Sequence, residues 1–212
     1  MSFGLVKHNN NSISAITSAG QLAQGKMTLI KEQTASSSSS ISFVDGSGGV
    51  VLDSTYAIYV FKFISIHGST TSQLRCNFST DSGSNYNVTK TTTNFLAYHA
   101  ENGSENSLNY ESSRDLAQST SDMYVSSTLK LSENDASFSG QMHLFEPSSS
   151  VFVKHFLITG NSMGTTPEPG RSINDFFAGY GNTTNSVDAV IFKMTSGNID
   201  SGTIKLYGIK GS

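Results

Sequence analysis

His143 and His155 flank the segment EPSSS at 146–150. If that segment is a five-residue loop between two strands, Phe145 faces Val151, His143 faces Val153 and Gln141 faces His155. The histidines then share one sheet face as diagonal neighbours, within reach of each other through their side chains. Paired imidazoles can hold a transition metal or respond to pH near neutrality. A metal centre needs more ligands and an outer shell of hydrogen bonds, so two polar positions on a strand face is the plainer reading. Cys76 is the sole cysteine. No intramolecular disulfide can form, and nothing beside it in sequence supplies the base that a catalytic thiol requires. Asp81, Asn85 and Asn87 offer closely spaced oxygens but lack the closing Glu of a calcium loop. Glu101, Glu105, Glu111 and Asp115 could provide a carboxylate pair for glycoside hydrolysis. A solvated loop is the plainer reading, because nothing in the sequence fixes their separation.

Aromatic residues form the other candidate set. Tyr98, Tyr110, Phe176, Phe177 and Tyr180 fall near loops or strand ends, among Asn, Asp and Thr. Such rings suit sugar binding or a protein interface, and core packing is the bland alternative. The richest cluster is FFAGYGN at 176–182. No phosphate loop, nucleophile elbow, H-E-x-x-H or C-x-x-C pattern occurs, so the sequence specifies no cofactor, no metal and no enzymatic reaction.

The elements that must position these residues read as β throughout. Met27–Gln33, Ile41–Val44, Val50–Leu52, Tyr56–Ile66, Gln73–Thr80 and Tyr86–Thr92 are short runs with period-2 apolar spacing, and Phe95–His99 extends the last. Further runs span Met123–Leu131, Phe138–Phe145, Val151–Ile158, Phe176–Tyr180, Ala189–Met194 and Thr203–Ile209. In 56–66, Tyr59, Phe61 and Phe63 fall on one face and Ile58, Val60, Ile64 and Ile66 on the other, with Lys62 among them, which marks a central strand covered on both sides or lying at a subunit contact. Residues 189–209 read as a closing hairpin. Val190, Phe192 and Met194 would meet Ile204 and Leu206 from the partner strand, with the turn at Ser196–Gly202. Residues 100–121 and 161–172 read as long exposed loops. These runs, without a long helix, predict an all-β, antiparallel, jelly-roll-like sandwich over 27–212. Residues 1–26 are polar; a frayed tail is the bland reading, and the sharper expectation is a separate N-terminal extended arm that docks on a neighbouring subunit. Ile13, Ile16 and Leu22 give it a weak helical spacing, and these are its candidate anchor residues.

Composition narrows the setting. The chain has 212 residues, of which 14% are charged, and a net charge of −3; the isoelectric point is about 5.9. With no dense run of Lys or Arg, nucleic-acid binding through a basic face is not expected. The most apolar stretch, 57–66, contains Lys62 and is far too short to span a bilayer. MSFGLVKHNNN lacks the apolar core of a signal peptide. A surface rich in Ser, Thr and Asn without an export signal fits a virion component made in the host cytoplasm and released by lysis.

Several stretches in fixed order carry a family resemblance: LIKEQTASSSSSISF, DSTYAIYVFKFISIH, NYNVTKTTTNFLAYH, QMHLFEPSSSVFVKHF and FFAGYGNTTNSVDAVIFKMTSGNIDSGTIKLYGIK. Together they resemble structural proteins of tailed bacteriophages, of the kind found in marine and cyanobacterial phages, over residues 27 to about 210. The ending SGNIDSGTIKLYGIK is its most specific part. The resemblance implies a jelly-roll-type sandwich and a tail, fibre or head-surface position. It implies no catalytic residues. The expected partners are tail, neck or portal, or capsid proteins, sister copies in a homo-oligomer, and a host-surface glycan. Capsid decoration, a head fibre and a carbohydrate-binding adhesin stand as alternatives to a tail or fibre role.

Overall fold

A computed structural model describes residues 27–128, 135–164 and 170–210. The arm and its residues Ile13, Ile16 and Leu22 lie outside the described residues. Within them the chain is an all-β antiparallel sandwich. In chain order the strands are β1 Met27–Thr34, β2 Ile41–Val44, β3 Ile58–Gly68, β4 Leu74–Ser79, β5 Lys90–Ala100, β6 Asn106–Tyr110, β7 Met123–Tyr124, β8 Phe138–Phe145, β9 Lys154–Gly164, β10 Arg171–Gly181, β11 Ala189–Met194 and β12 Ile199–Ile209. The large sheet runs β1-β12-β3-β8-β9-β10-β5-β6 and the small sheet β2-β11-β4-β7.

One ribbon organises both sheets. Residues 58–100 run antiparallel to 171–209, from Ile58 opposite Ile209, through Ser79 opposite Ala189, to Ala100 opposite Arg171. The ribbon starts in the large sheet as β3·β12, crosses to the small sheet as β4·β11 and returns as β5·β10. That is the jelly-roll way of rolling a long hairpin. Its strands stay tied at the crossings. Ser69 N–H donates to the Asn198 carbonyl (2.9 Å) and Thr195 N–H to that of Gln73 (2.9 Å). At the second crossing Asp188 N–H donates to the Ser79 carbonyl (3.0 Å) and Asn182 N–H to that of Thr89 (2.7 Å).

This topology corrects the closing hairpin expected from sequence. β11 and β12 belong to one arm of the ribbon and lie in different sheets; their partners are β4 and β3. The alternation is right, but Phe192 meets the other sheet across the core instead of meeting β12 within a sheet. Its ring centroid lies 5.2 Å from that of Phe63 and 5.3 Å from Phe61 across the core, and 6.3 Å from Phe43 on neighbouring β2 of its own sheet, each pair near edge-to-face, the geometry that ring quadrupoles favour.

Two further corrections concern local structure. In β3 the ladder to β8 slips between Phe63 and Ile66, and Ser65 takes φ 49°. This bulge inverts the alternation, so Ile66 is buried with Tyr59, Phe61 and Phe63 instead of lying on the opposite face. The stretch 100–121 is also more ordered than an irregular loop. Asn106–Tyr110 adds a strand to β5, because tertiary pairing satisfies a backbone whose Asn and Ser carry little strand propensity. Likewise β9 extends to Gly164 and β10 starts at Arg171, so both ends of the expected 161–172 loop are strand; 165–169 lie outside the described residues.

Polar groups close one side of the core. Lys90 is fully buried, and its Nζ donates to Asn77 Oδ1 (2.6 Å) and to the Val88 carbonyl (2.6 Å). Asn77 Nδ2 in turn donates to Asp122 Oδ1 (2.9 Å) and the Thr120 carbonyl (3.1 Å). Burial lowers the Lys90 pKa to about 8, since desolvation disfavours the charged form.

Two outcomes are expected. Gly202 has φ 109°, and a Cβ there would lie 2.5 Å from the Ser65 carbonyl oxygen. Gly202→Ala should therefore destabilise the fold by about 1–3 kcal/mol or more, read from the urea midpoint. Lys90 gives a pH signature. Between its folded value of about 8 and the ordinary 10.5 the unfolded chain binds more protons, so this group's contribution to stability rises with pH across that window and is flat below it. The buried Cys76 thiol, pushed up by desolvation, acts in the opposite sense at the alkaline end. The difference in urea midpoint between wild type and Lys90→Met, followed against pH, isolates the lysine and should shift in favour of wild type as pH rises.

Candidate interaction face

The small sheet has four strands against eight, and the two faces of the large sheet differ accordingly. Its inner face supplies core residues such as Phe61, Met142, Phe156, Phe177 and Leu206. Its outer face presents side chains that the core does not use.

The structure sorts the five candidate aromatics between these faces. Phe177 is 2% exposed and belongs to the core. Phe176, its neighbour in sequence, points outward and stacks on Phe95, with centroids 4.8 Å apart and planes 19° apart. Phe95 pairs across the ladder with Tyr110 on β6, which is 64% exposed. The Tyr110 hydroxyl donates to Asp115. Tyr180 also faces outward, opposite His155 on β9, with ring centroids 6.1 Å apart. Tyr98 lies on the inner face. Phe176, Tyr110 and Tyr180 therefore share one surface, and Tyr98 and Phe177 do not join it.

Sequence reading missed the residues that complete this surface. Phe95, Leu108 and Leu157 are exposed on it, and the outward positions of β5, β6, β9 and β10 include no Lys, Arg, Asp or Glu. Phe95 could have been flagged by its alternation with buried Asn94 and Leu96. Its stacking on Phe176, 81 residues away by register, could not. Shallow apolar depressions flank His155. One is lined by Phe145, Phe152 and Ile58, the other by Thr91, Thr93, Leu157 and Tyr180.

His143 and His155 keep a diagonal relation, but in a different register. His143 pairs with Leu157, two residues from His155, because the connection runs over 146–153 rather than five residues. Lys154 Nζ holds that connection by donating to the Ser149 and Phe152 carbonyls. Burial and nearby Lys62 lower the His143 pKa. Among the described residues no group of three His, Cys, Asp or Glu side chains could hold a metal ion, and no helix is long and apolar enough to cross a membrane.

The inner face beyond the small sheet carries a cavity of about 270 Å³, lined by Leu96, Tyr98, Glu111, Arg114, Arg171 and Ile173 among others. The Arg171 guanidinium lies 4.7 Å from the centre of the Tyr98 ring and pairs with Glu105. Beside it, fully buried Asp175 accepts from Ser127 N–H (2.8 Å), Ser127 Oγ (2.5 Å) and Ser162 Oγ (3.1 Å), with Arg114 at 3.8 Å. Burial raises the Asp175 pKa, and the Ser127 bonds and Arg114 oppose that rise. The loop carboxylates take separate partners: Glu105 pairs with Arg171, and Asp115 accepts from Tyr110. Asp81 caps its own turn, accepting from Ser79 Oγ (2.7 Å) and Asn85 N–H (2.8 Å); the Asn85 bonds lower its pKa.

No family model, no curated protein and no solved structure matches the chain.

Adjacent phenylalanines provide a test of this division. Phe177→Ala removes a core ring and should cost about 3–5 kcal/mol in unfolding free energy. Phe176→Ala loses a half-buried ring of the outer face together with its stack on Phe95, worth about 0.5–1.5 kcal/mol beyond the area it buries, and should cost less than Phe177→Ala. Urea unfolding of the two variants measures both.

Proposed function

We propose that the chain is a non-enzymatic structural protein of a tailed-phage particle, tail- or fibre-associated, attached through residues 1–26 and contributing to host attachment. The observation that carries this reading is the outer face of the large sheet. Leu108 is 71% exposed, Tyr110 64% and Phe95 45%, beside the stacked Phe176 ring, on outward strand positions without formal charge. Monomeric soluble proteins rarely leave large contiguous apolar patches uncovered, and aromatic rings are enriched where proteins bind one another. The serial resemblance to phage structural proteins supplies the setting, and a low charge content suits a surface that functions by packing. Capsid decoration or a head fibre would use the same face against a different neighbour.

A second reading rests on the same rings. Phe95 and Phe176 with Thr93, Thr159 and Asn174 around them combine an aromatic platform with amide and hydroxyl groups, which suits a host-surface glycan.

The experiments separate these readings. Antibody labelling of intact particles should place the protein at the tail or its fibres; absence from the particle would sink the phage reading, and a capsid location would favour decoration. A chain lacking residues 1–26 should fold with unchanged thermal stability yet fail to enter particles. Binding on a glycan array that disappears in Phe176→Ala would favour the adhesin, and a blank array would count against it.

A further inference from the structure

The free edge of β6 has the properties of a self-pairing strand. Ala100 N–H donates to the Glu105 carbonyl (2.8 Å) and Glu111 N–H to that of Asn94 (3.0 Å). Hydrogen-bonded pairs recur every second residue in an antiparallel ladder. The odd-numbered residues of this segment therefore direct their main-chain groups to β5, while Asn106, Leu108 and Tyr110 direct theirs to the open edge. Among the described residues no strand pairs with that edge.

Every other sheet edge among the described residues is guarded. Lys31 and Glu32 lie on β1, which also carries a register shift between Leu29 and Lys31. Charge and bulges of this kind are how β proteins block edge pairing. β2 is four residues long, and Gln33 Nε2 already donates to its Ser42 carbonyl (2.7 Å). β7 is two residues long. By contrast β6, with the sequence NSLNY, has no charge, no proline and no bulge, and its Leu108 and Tyr110 are largely exposed.

The sequence of β6 also suits its own copy. About a twofold axis at Leu108, Leu108 lies opposite the partner's Leu108, and Asn106 opposite the partner's Tyr110. All three pairs are of the hydrogen-bonded type, giving about six main-chain bonds. Outward, leucine meets leucine and the tyrosine ring covers the asparagine. On the inner side Ser107 meets the partner's Asn109. Glu105 and Glu111 come opposite one another at the strand ends. Glu105 is already paired with Arg171, and Glu111 lines the cavity that holds Arg114, so guanidinium groups offset the repulsion.

We propose that β6 is a homodimerisation edge. Two copies of this chain pair antiparallel through β6, with the twofold axis at Leu108, and join their large sheets into one continuous sheet. The outer aromatic surface then extends across the axis from the Phe95–Phe176 stack of one copy to that of the other. This dimer is a property of the purified protein and is independent of the particle in which it works.

Sedimentation of the purified full chain over a concentration series should show the mass rising from 22.6 kDa toward twice that value. The dissociation constant is expected on the order of micromolar to tens of micromolar, because a five-residue strand and its flanking rings form a small interface. Leu108→Pro removes an edge-facing N–H and none of the bonds to β5, so it should leave a folded monomer, with folding checked by thermal unfolding. Leu108→Lys should weaken the dimer at least tenfold in case the proline perturbs the strand, and Leu29→Lys on the opposite edge should leave it unchanged. Register is tested by cross-linking. Cys76 is buried, so Leu108→Cys adds the single accessible thiol at a Cα separation of about 5.5 Å from its copy, within disulfide range, and should oxidise to a covalent dimer. Asn106→Cys should not. A wild-type chain that stays monomeric throughout, a dimer unaffected by Leu108→Lys, or cross-linking at 106 in place of 108 would overturn the proposal.

Discussion

The constraint on which the molecule depends is that residues 58–100 and 171–209 remain one antiparallel ribbon while it passes twice between sheets. Hydrogen bonds persist at both crossings, from Ser69 to Asn198 and from Asp188 to Ser79. The bending is concentrated where backbone geometry permits it. Ser65 at φ 49° and Gly202 at φ 109° sit on the two strands just before the first crossing, in a region where the ladder register slips. A bulge on both sides of a ribbon increases its twist and turns it without opening its length. Every other strand is placed by this ribbon. β8 adds to β3 and β9 joins β8 to β10, so the large sheet is closed by an insertion between the ribbon's two arms.

The same path decides what the core contains. Because β11 and β12 lie in different sheets, apolar positions on one arm face each other across the sandwich. Phe192 from the small sheet is surrounded by Phe61 and Phe63 of β3. Large rings tolerate little displacement in a close-packed interior, so these contacts fix the sheet separation along with the main-chain bonds. Polar groups then seal the margins. Lys90 and Asn77 link β5, β4 and the 120–122 segment. Asp175 is enclosed by Ser127 and Ser162 where the small sheet ends. Both groups are desolvated, and both have near-complete sets of hydrogen bonds in return, as buried polar atoms require.

Much of the fold was legible because period-2 patterns survive in a single sequence. Leu74, Cys76 and Phe78, and likewise Val190, Phe192 and Met194, alternate inward as their spacing predicts, and all are buried. What escaped was non-local. The 189–209 stretch looks like a hairpin because two greasy runs flank a Gly-rich turn, and nothing local distinguishes a turn within a sheet from a crossing between sheets. The bulge at Ser65 was invisible because serine does not announce a positive φ. In the candidate site, FFAGYGN pointed to Phe176 and Tyr180, which the structure places on the outer face, and to Phe177, which it places in the core. Only the β5·β10 register brings Phe95 to Phe176, and only the β5·β6 register brings Tyr110 to Phe95.

The division of labour between the faces follows from unequal sheets. Four strands cannot cover eight, and the ladder that ends in β10, β5 and β6 extends past the aromatic core. On its inner side the overhang is filled by Asp175, Arg114 and Arg171 with their partners, a polar arrangement that needs no second apolar layer. On its outer side the aromatic residues contribute less to stability than the core rings do, the Phe95–Phe176 stack apart. Thr and Asn would serve there, as they do at Thr93, Asn161 and Asn174. Placing Phe95, Phe176, Leu108 and Tyr110 on that surface opposes solubility without adding to the core. In the role proposed above, these exposed rings, gathered beside the one unguarded edge among the described residues, are where a neighbour would make contact. The shape of the region argues for a flat partner, since a sheet face and a strand edge present area and main-chain groups rather than a deep pocket.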